Sequence, residues 1–284
     1  METALLLTFL ALFGLAVGSF LNVVIVRIPS GDSLLHPPSR CPLCETAIAP
    51  RDNIPVVSWL LLRGRCRSCS EPIPVGYPLV EAANAALWVI AGLRFGLTAP
   101  LLPFALLFSV LLALSVIDLE LYILPNKITY PSILASLVII PILSFAVADD
   151  PVGSILWALI GGFGFAGILA ITLIAWELIV HKEGMGLGDV KLAVLLGLWS
   201  GWIHPVLPLL ALVASSIIGL VAGVAIMIVR RESRAFPFGP WLALGTIVVI
   251  LAATPILHFY GFGDGDEDAA GVLPRASSVV VDGQ

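Results

Sequence analysis

Two aspartates stand out because each lies in or beside an otherwise apolar run: Asp118 in LSVIDLELYILPN and Asp189 in GMGLGDVKL. A carboxylate at the centre of a bilayer costs about 2.5–3.5 kcal/mol on insertion scales, and less near the edge, so such a group usually faces protein or a water-filled cavity. Two carboxylates brought within a few ångströms cannot both ionise easily, and they titrate as a pair. The charged member can then activate a water as general base while the protonated member polarises a carbonyl, the chemistry of aspartic proteases. Nothing else in the chain competes: His36, His181, His204 and His258 are scattered and form neither an HExxH pattern nor an evident triad. Each acid also has a plainer reading as an interfacial or capping charge, and Asp189 would be favoured at a helix N-terminus by the helix dipole alone. For Glu120 and Glu177, at the edges of apolar runs, the interfacial reading is the better one.

Gly184, Gly186 and Gly188 alternate directly before Asp189. That backbone can stay extended and be approached closely by another chain, which makes Gly186 and Gly188 candidates for shaping a peptide-binding site. Lys191, two residues beyond the acid, could tune its charge or form a structural ion pair. A separate cluster comprises Cys41-Pro-Leu-Cys44 and Cys66-Arg-Ser-Cys69, two CxxC pairs 21 residues apart. Four thiolates on two tight turns suit a closed tetrahedral zinc site, which would let a module of some fifty residues fold despite a small core. Disulfides are the rival reading and require an oxidising compartment. His36 lies nearby, but a lone loop histidine is more often solvated than ligating.

The elements that must position these groups are membrane helices. Of 284 residues, 59% are apolar and only 12% are charged, too few charges for an ordinary soluble domain. Runs of roughly 20 apolar residues, each enough to cross a bilayer about 30 Å thick, recur along the chain. The pattern predicts eight spans, at about 4–26, 78–96, 100–122, 128–148, 153–180, 188–203, 205–229 and 237–260, the sixth being short. The first lacks a basic region in front, so it is expected to remain as an anchor. With the N-terminus outside, 12 of the 14 basic residues fall on the cytoplasmic side, leaving only Arg94 and Arg275 opposite. That orientation puts the cysteines in a reducing compartment and both aspartates toward the cytoplasmic border.

The expected fold is thus an all-α polytopic membrane protein with a small zinc-ribbon-like cytoplasmic insertion after helix one. Residues 1–26 form the first span, 27–77 the four-cysteine module, 78–260 a seven-helix domain carrying the acid pair, and 261–284 a Gly-rich acidic tail read as disordered. Gly14 and Gly18, with Asn22 a turn further, give helix one a small, polar-tipped packing face, and Gly161, Gly164 and Gly167 read similarly. No internal repeat is visible by eye.

Seven segments in order carry a resemblance: GSFLNVVIVRIP, the two CxxC pairs, NIPVVSWLLLRGRC between them, YPLVE, D-x6-LPN, GMGLGDVK and FPFGPWLALG. Over most of residues 14–245 the chain resembles the type IV prepilin leader peptidases, polytopic enzymes of the GxGD aspartyl protease group. The resemblance implies that Asp118 and Asp189 match the catalytic pair. It implies removal of a short leader from prepilins or pseudopilins at the cytoplasmic face of the inner membrane, in a type IV pilus or type II secretion setting. Many members also methylate the new N-terminus with S-adenosylmethionine, a step associated with the cysteine module, and Glu81 of YPLVE is the candidate residue. Here Val75-Gly76 stands where a more basic pair is common, and no glycine-rich nucleotide loop is present. The expected partners are pilin-type substrates and lipid, with no nucleic acid. Two other classes compete on the residues alone: an ion-coupled transporter using paired intramembrane acids, and a zinc-ribbon scaffold at the membrane.

Overall fold

The computed structural model describes residues 2–181, 186–230 and 237–262. Among them are helices α1 (Glu2–Ser30), α2 (Val57–Leu61), α3 (Gly76–Phe95), α4 (Leu101–Leu121), α5 (Asn126–Val147), α6 (Pro151–Val180), α7 (Leu187–Ile203), α8 (Leu207–Arg230), α9 (Gly239–Leu251) and α10 (Ala253–Phe259), one 3-10 turn at Pro50–Asp52, and no strand. Most of the predicted tail lies outside the described residues. The chain forms two compact units. One runs to Leu97 and includes Phe104–Ile117; the other holds Thr98–Pro103 and the chain from Asp118 onward.

In the first unit α1 packs along α3. The small face predicted for helix one makes this possible: a side chain at Gly14 would meet the Ala85 Cα at 2.8 Å, and one at Gly18 the Glu81 Cα at 2.7 Å. Asn84 donates to the Gly14 carbonyl at 2.7 Å, and the indole of Trp88 donates to Ser109 at 2.8 Å. These buried donors thus find acceptors on neighbouring helices.

In the second unit α7 is the central post, packed against α5, α6, α8 and α9. Its contact with α6 is backbone on backbone: a β-carbon at Gly161 would lie 2.6 Å from the Gly197 carbonyl and one at Gly201 2.6 Å from the Trp157 carbonyl. The glycines predicted to pack here are only partly the right ones. Gly161 does so, with Gly162, Gly197 and Gly201, whereas Gly164 and Gly167 face open space. On its other side α7 is tied to α5 by two matching bonds, Trp199 to Ser136 and Trp202 to Ser144, each 2.8 Å. Asp150 caps α6 by accepting from the Gly153 amide at 3.0 Å, and Pro151 follows as a favourable first helical residue.

The helices fall where the eight apolar runs were read, and among the described residues six are long and apolar enough to cross a membrane: α1, α3, α4, α5, α6 and α8. A seventh arises if α9 and α10, bent by 70° at their junction, are counted together. At 17 residues α7 is the shortfall, and twelve of those residues are buried, so protein encloses it where lipid would surround an ordinary span.

The cysteine module begins after α1, which runs four residues past its predicted end to Ser30. Its two CxxC turns repeat one hydrogen-bond pattern with an offset of 25 residues, a repeat the sequence hides because the intervening side chains differ. Cys41 donates to Thr46 and Glu45 donates back to Cys41; Cys66 donates to Glu71 and Ser70 donates back to Cys66. Isolated bridges join Arg40 to Ala47 and Arg65 to Pro72.

Candidate active site

Asp118 sits in the last turn of α4, which ends when Tyr122 takes a left-handed conformation (φ 58°) and returns its amide to the Asp118 carbonyl at 2.9 Å. Pro125, extended, then starts α5. Asp189 lies in the first turn of α7. Both are buried, at 6% and 7% exposure.

The two carboxylates converge on the start of α9. A β-carbon on Gly239 would stand 2.6 Å from Asp118 Oδ2 and 3.5 Å from Asp189 Oδ1, so those oxygens are no more than about 6 Å apart, a range in which like charges interact. At separations up to about 5.6 Å one water can hydrogen-bond both oxygens, since each bond spans about 2.8 Å. Asp118 Oδ2 is buried without a hydrogen-bond partner, which leaves an acceptor for such a water or for substrate. The Gly239 amide acts on the Asp118 carboxylate and the Gly186 amide on that of Asp189. Two helix N-termini, of α9 and α7, therefore direct positive dipole ends at the pair.

Gly239 is the residue that sequence reasoning passed over. FPFGPW was recognised as a segment, but its glycine received no role; its signal was a glycine followed by proline at the mouth of an apolar run. With any side chain, position 239 would occupy the space between the acids.

The glycines before Asp189 behave differently from one another. Gly186 is extended (φ −78°, ψ 145°), as expected. Gly188 is already helical, because α7 begins at Leu187, and it presses on Leu124, where an added β-carbon would come within 3.1 Å. Gly184 lies outside the described residues. The structural ion pair considered for Lys191 is not seen among the described residues: it donates to Asn126 Oδ1 at 3.0 Å and lies over the Tyr130 ring at 5.3 Å. It fastens α7 to the start of α5, reaching the asparagine of the LPN segment. Glu120 and Glu177 are exposed, as an interfacial role requires.

The four cysteine sulfurs lie within 4.8 Å of one another, with Cys41 and Cys69 Sγ at 3.7 Å. A tetrahedral zinc with sulfurs about 2.3 Å away sets sulfur–sulfur separations near 3.8 Å, so the cluster fits a metal ion. All four are free thiols, and His36 is not in the cluster. The Thr46 hydroxyl beside Cys44 draws its thiol down to about 6. The Glu71 amide pulls Cys69 the same way, but burial and the three neighbouring sulfurs outweigh it and push that thiol up to about 12. Crowded sulfurs split in this manner because several thiolates cannot share so small a space without a cation.

The Glu81 carboxylate is buried within the first unit, accepting from the Val56 amide at 2.7 Å and, at 3.5 Å, from Asn22, which also donates to the Tyr77 carbonyl.

Comparison with known proteins agrees with this architecture. Residues 12–95 match the bacterial peptidase A24 N-terminal domain, and residues 105–224 match the type IV leader peptidase family. The prepilin leader peptidase/N-methyltransferase of Aeromonas hydrophila is 36% identical over 88% of this chain and 91% of its own length. The protein of that name from Pseudomonas putida is 36% identical over 88% and 92%, and that of Pectobacterium carotovorum subsp. carotovorum 38% identical over 84% and 90%. No solved structure matches the chain. The convergent aspartates, the four-cysteine cluster and these relatives lead to one conclusion: this chain belongs to the type IV prepilin leader peptidase/N-methyltransferase family.

Proposed function

We propose that the protein is a membrane aspartyl endopeptidase that cleaves the leader from prepilins or pseudopilins, with Asp118 and Asp189 as its catalytic pair. The observation that carries this reading is the meeting of the two buried carboxylates over Gly239. The charged aspartate takes a proton from a water held between the pair, and the water oxygen bonds to the scissile carbonyl carbon. The protonated partner gives its proton to the carbonyl oxygen; when the C–N bond breaks, the departing amine receives a proton and the carboxylates recover their starting state. Gly186 supports an extended substrate backbone beside Asp189, and Gly188 lets α7 begin close to Leu124.

The cysteines hold a structural zinc, and the second activity is methylation of the new N-terminus with S-adenosylmethionine as donor. The sorting of basic residues supports an outside N-terminus, with residues 27–77 and the acid pair toward the cytoplasm and residues 78–260 carrying the protease site.

The test uses purified protein in detergent with a prepilin, read by mass spectrometry. Asp118→Asn and Asp189→Asn should each abolish leader removal while the protein remains folded, and wild-type product should gain one methyl group. Cleavage that survives in either variant removes that residue from the pair.

A further inference from the structure

Three segments that proteolysis leaves unused, around Asn22, around Val56 and at YPLVE, come together in the first unit. They border a cavity of about 370 Å³, within the range of about 300–1,000 Å³ typical of small-molecule sites. Its wall includes Asn22, Val23, Val56, Trp59, Arg67 and Glu81. We infer that this cavity binds the methyl donor, an adenosyl sulfonium zwitterion, with Glu81 facing the cationic sulfur and Trp59 offering an aromatic surface to the purine. The inference rests on the methyltransferase part of the proposed function and adds the location and chemistry of its site.

Charge carries the argument. Glu81 is 8% exposed, yet among the described residues no Lys or Arg nitrogen lies within 4.0 Å of its carboxylate. A buried carboxylate without a cationic partner is costly, and one that lines a cavity is matched by a ligand that brings the cation. Oε2 is committed to the Val56 amide, while Oε1 has only the long 3.5 Å contact from Asn22 and keeps acceptor capacity.

The backbone on the cavity wall is strained as well. Val56, a β-branched residue, is held at φ 59° and ψ −49°, and the Val57 amide closes a tight turn onto the Pro55 carbonyl at 2.6 Å. L-residues rarely adopt this conformation, and where it persists the surroundings enforce it, typically at a ligand site. Glu81 is the clamp that enforces it here.

The remaining wall suits the rest of the ligand. Trp59 is fixed by its bond to the Ile73 carbonyl at 3.1 Å and by Gly64, where a side chain would strike the indole at 2.8 Å. Aromatic faces of this kind bind both purine rings and cationic centres. Arg67, held in a fork by Asp52 at 2.6–3.1 Å through Nε and Nη2, keeps its Nη1 donor outside that fork for the carboxylate of the amino-acid head.

The experiment measures equilibrium binding of S-adenosylmethionine and of its neutral product, S-adenosylhomocysteine, to the full-length protein in detergent. Glu81→Gln should weaken the sulfonium ligand by at least about tenfold and the neutral one by less than about threefold. Val23→Trp, which fills the cavity, should weaken both. Equal weakening of the two ligands in Glu81→Gln would reduce Glu81 to a clamp for Val56 and overturn the charge assignment. Wild-type affinity for both ligands in Val23→Trp, in a protein whose wild type methylates pilin, would place the donor elsewhere. A wild type that neither methylates nor binds donor would instead remove the methyltransferase reading itself.

Discussion

Replacing Gly239 by alanine adds one methyl group where both carboxylates point. That carbon would stand 2.6 Å from Asp118 Oδ2, whereas a close carbon–oxygen contact is about 3.3 Å, so the pair must open by roughly 0.7 Å. A displacement of about 1 Å at a reacting centre can cost on the order of a hundredfold in rate, near 2.7 kcal/mol of transition-state stabilisation. The helix itself should tolerate the change, since alanine is a better helix former than glycine and overpacking of this kind costs about 1–3 kcal/mol. The comparison is Gly164→Ala, because that glycine faces open space and an added methyl meets nothing. The assay is leader cleavage under single-turnover conditions, with thermal unfolding followed in parallel. The expected result is a fall of about a hundredfold for Gly239→Ala and no change for Gly164→Ala. A Gly239→Ala enzyme that cleaves within about twofold of wild type would show that the carboxylates do not work across this space.

Two further outcomes concern the cysteine module. Chelation of zinc, or Cys→Ser substitution at Cys41 or Cys66, should melt the module, seen as a lost or lowered first unfolding transition, with one zinc per chain measured by elemental analysis in wild type only. Asp52 should show a specific pH dependence. Arg67 holds its carboxyl below the ordinary value of 3.8, so the pair's contribution is complete above that value and is lost as pH falls through the lower, folded-state one. Wild type and Asp52→Asn should therefore differ in module stability at neutral pH and converge on strong acidification; a difference that persists there would contradict the ion-pair account.

The parts of this molecule that sequence makes plain are those carried by one element or one short spacing. Apolar runs declare membrane helices, the CxxC turns declare a four-cysteine cluster, and Asp118 and Asp189 stand out as acids among apolar neighbours. The hidden parts depend on distant segments meeting. Gly239 matters only because α9 starts where two acids from other helices arrive, and no local pattern records that. Gly164 and Gly167 share a spacing with Gly161, but only Gly161 faces the α7 backbone. Lys191 lies near an acid in sequence, while its side chain turns to Asn126 across a different helix boundary. Glu81 is singled out in YPLVE, yet its tie to a strained valine 25 residues away is a tertiary fact. The transporter and scaffold alternatives, open on the residues alone, lose their ground once the family is known.

The enclosure of α7 separates Asp189 from the membrane's variability. At 1.5 Å per residue α7 is about 25 Å long, whereas its neighbour α6, with 30 residues, reaches about 45 Å. Hydrophobic mismatch with longer or shorter acyl chains can therefore be absorbed by local thickening or thinning of the bilayer around the longer α6, with its glycine contact to α7 kept. The aspartate at the foot of α7 thereby keeps the same protein neighbours when the surrounding acyl chains change in length.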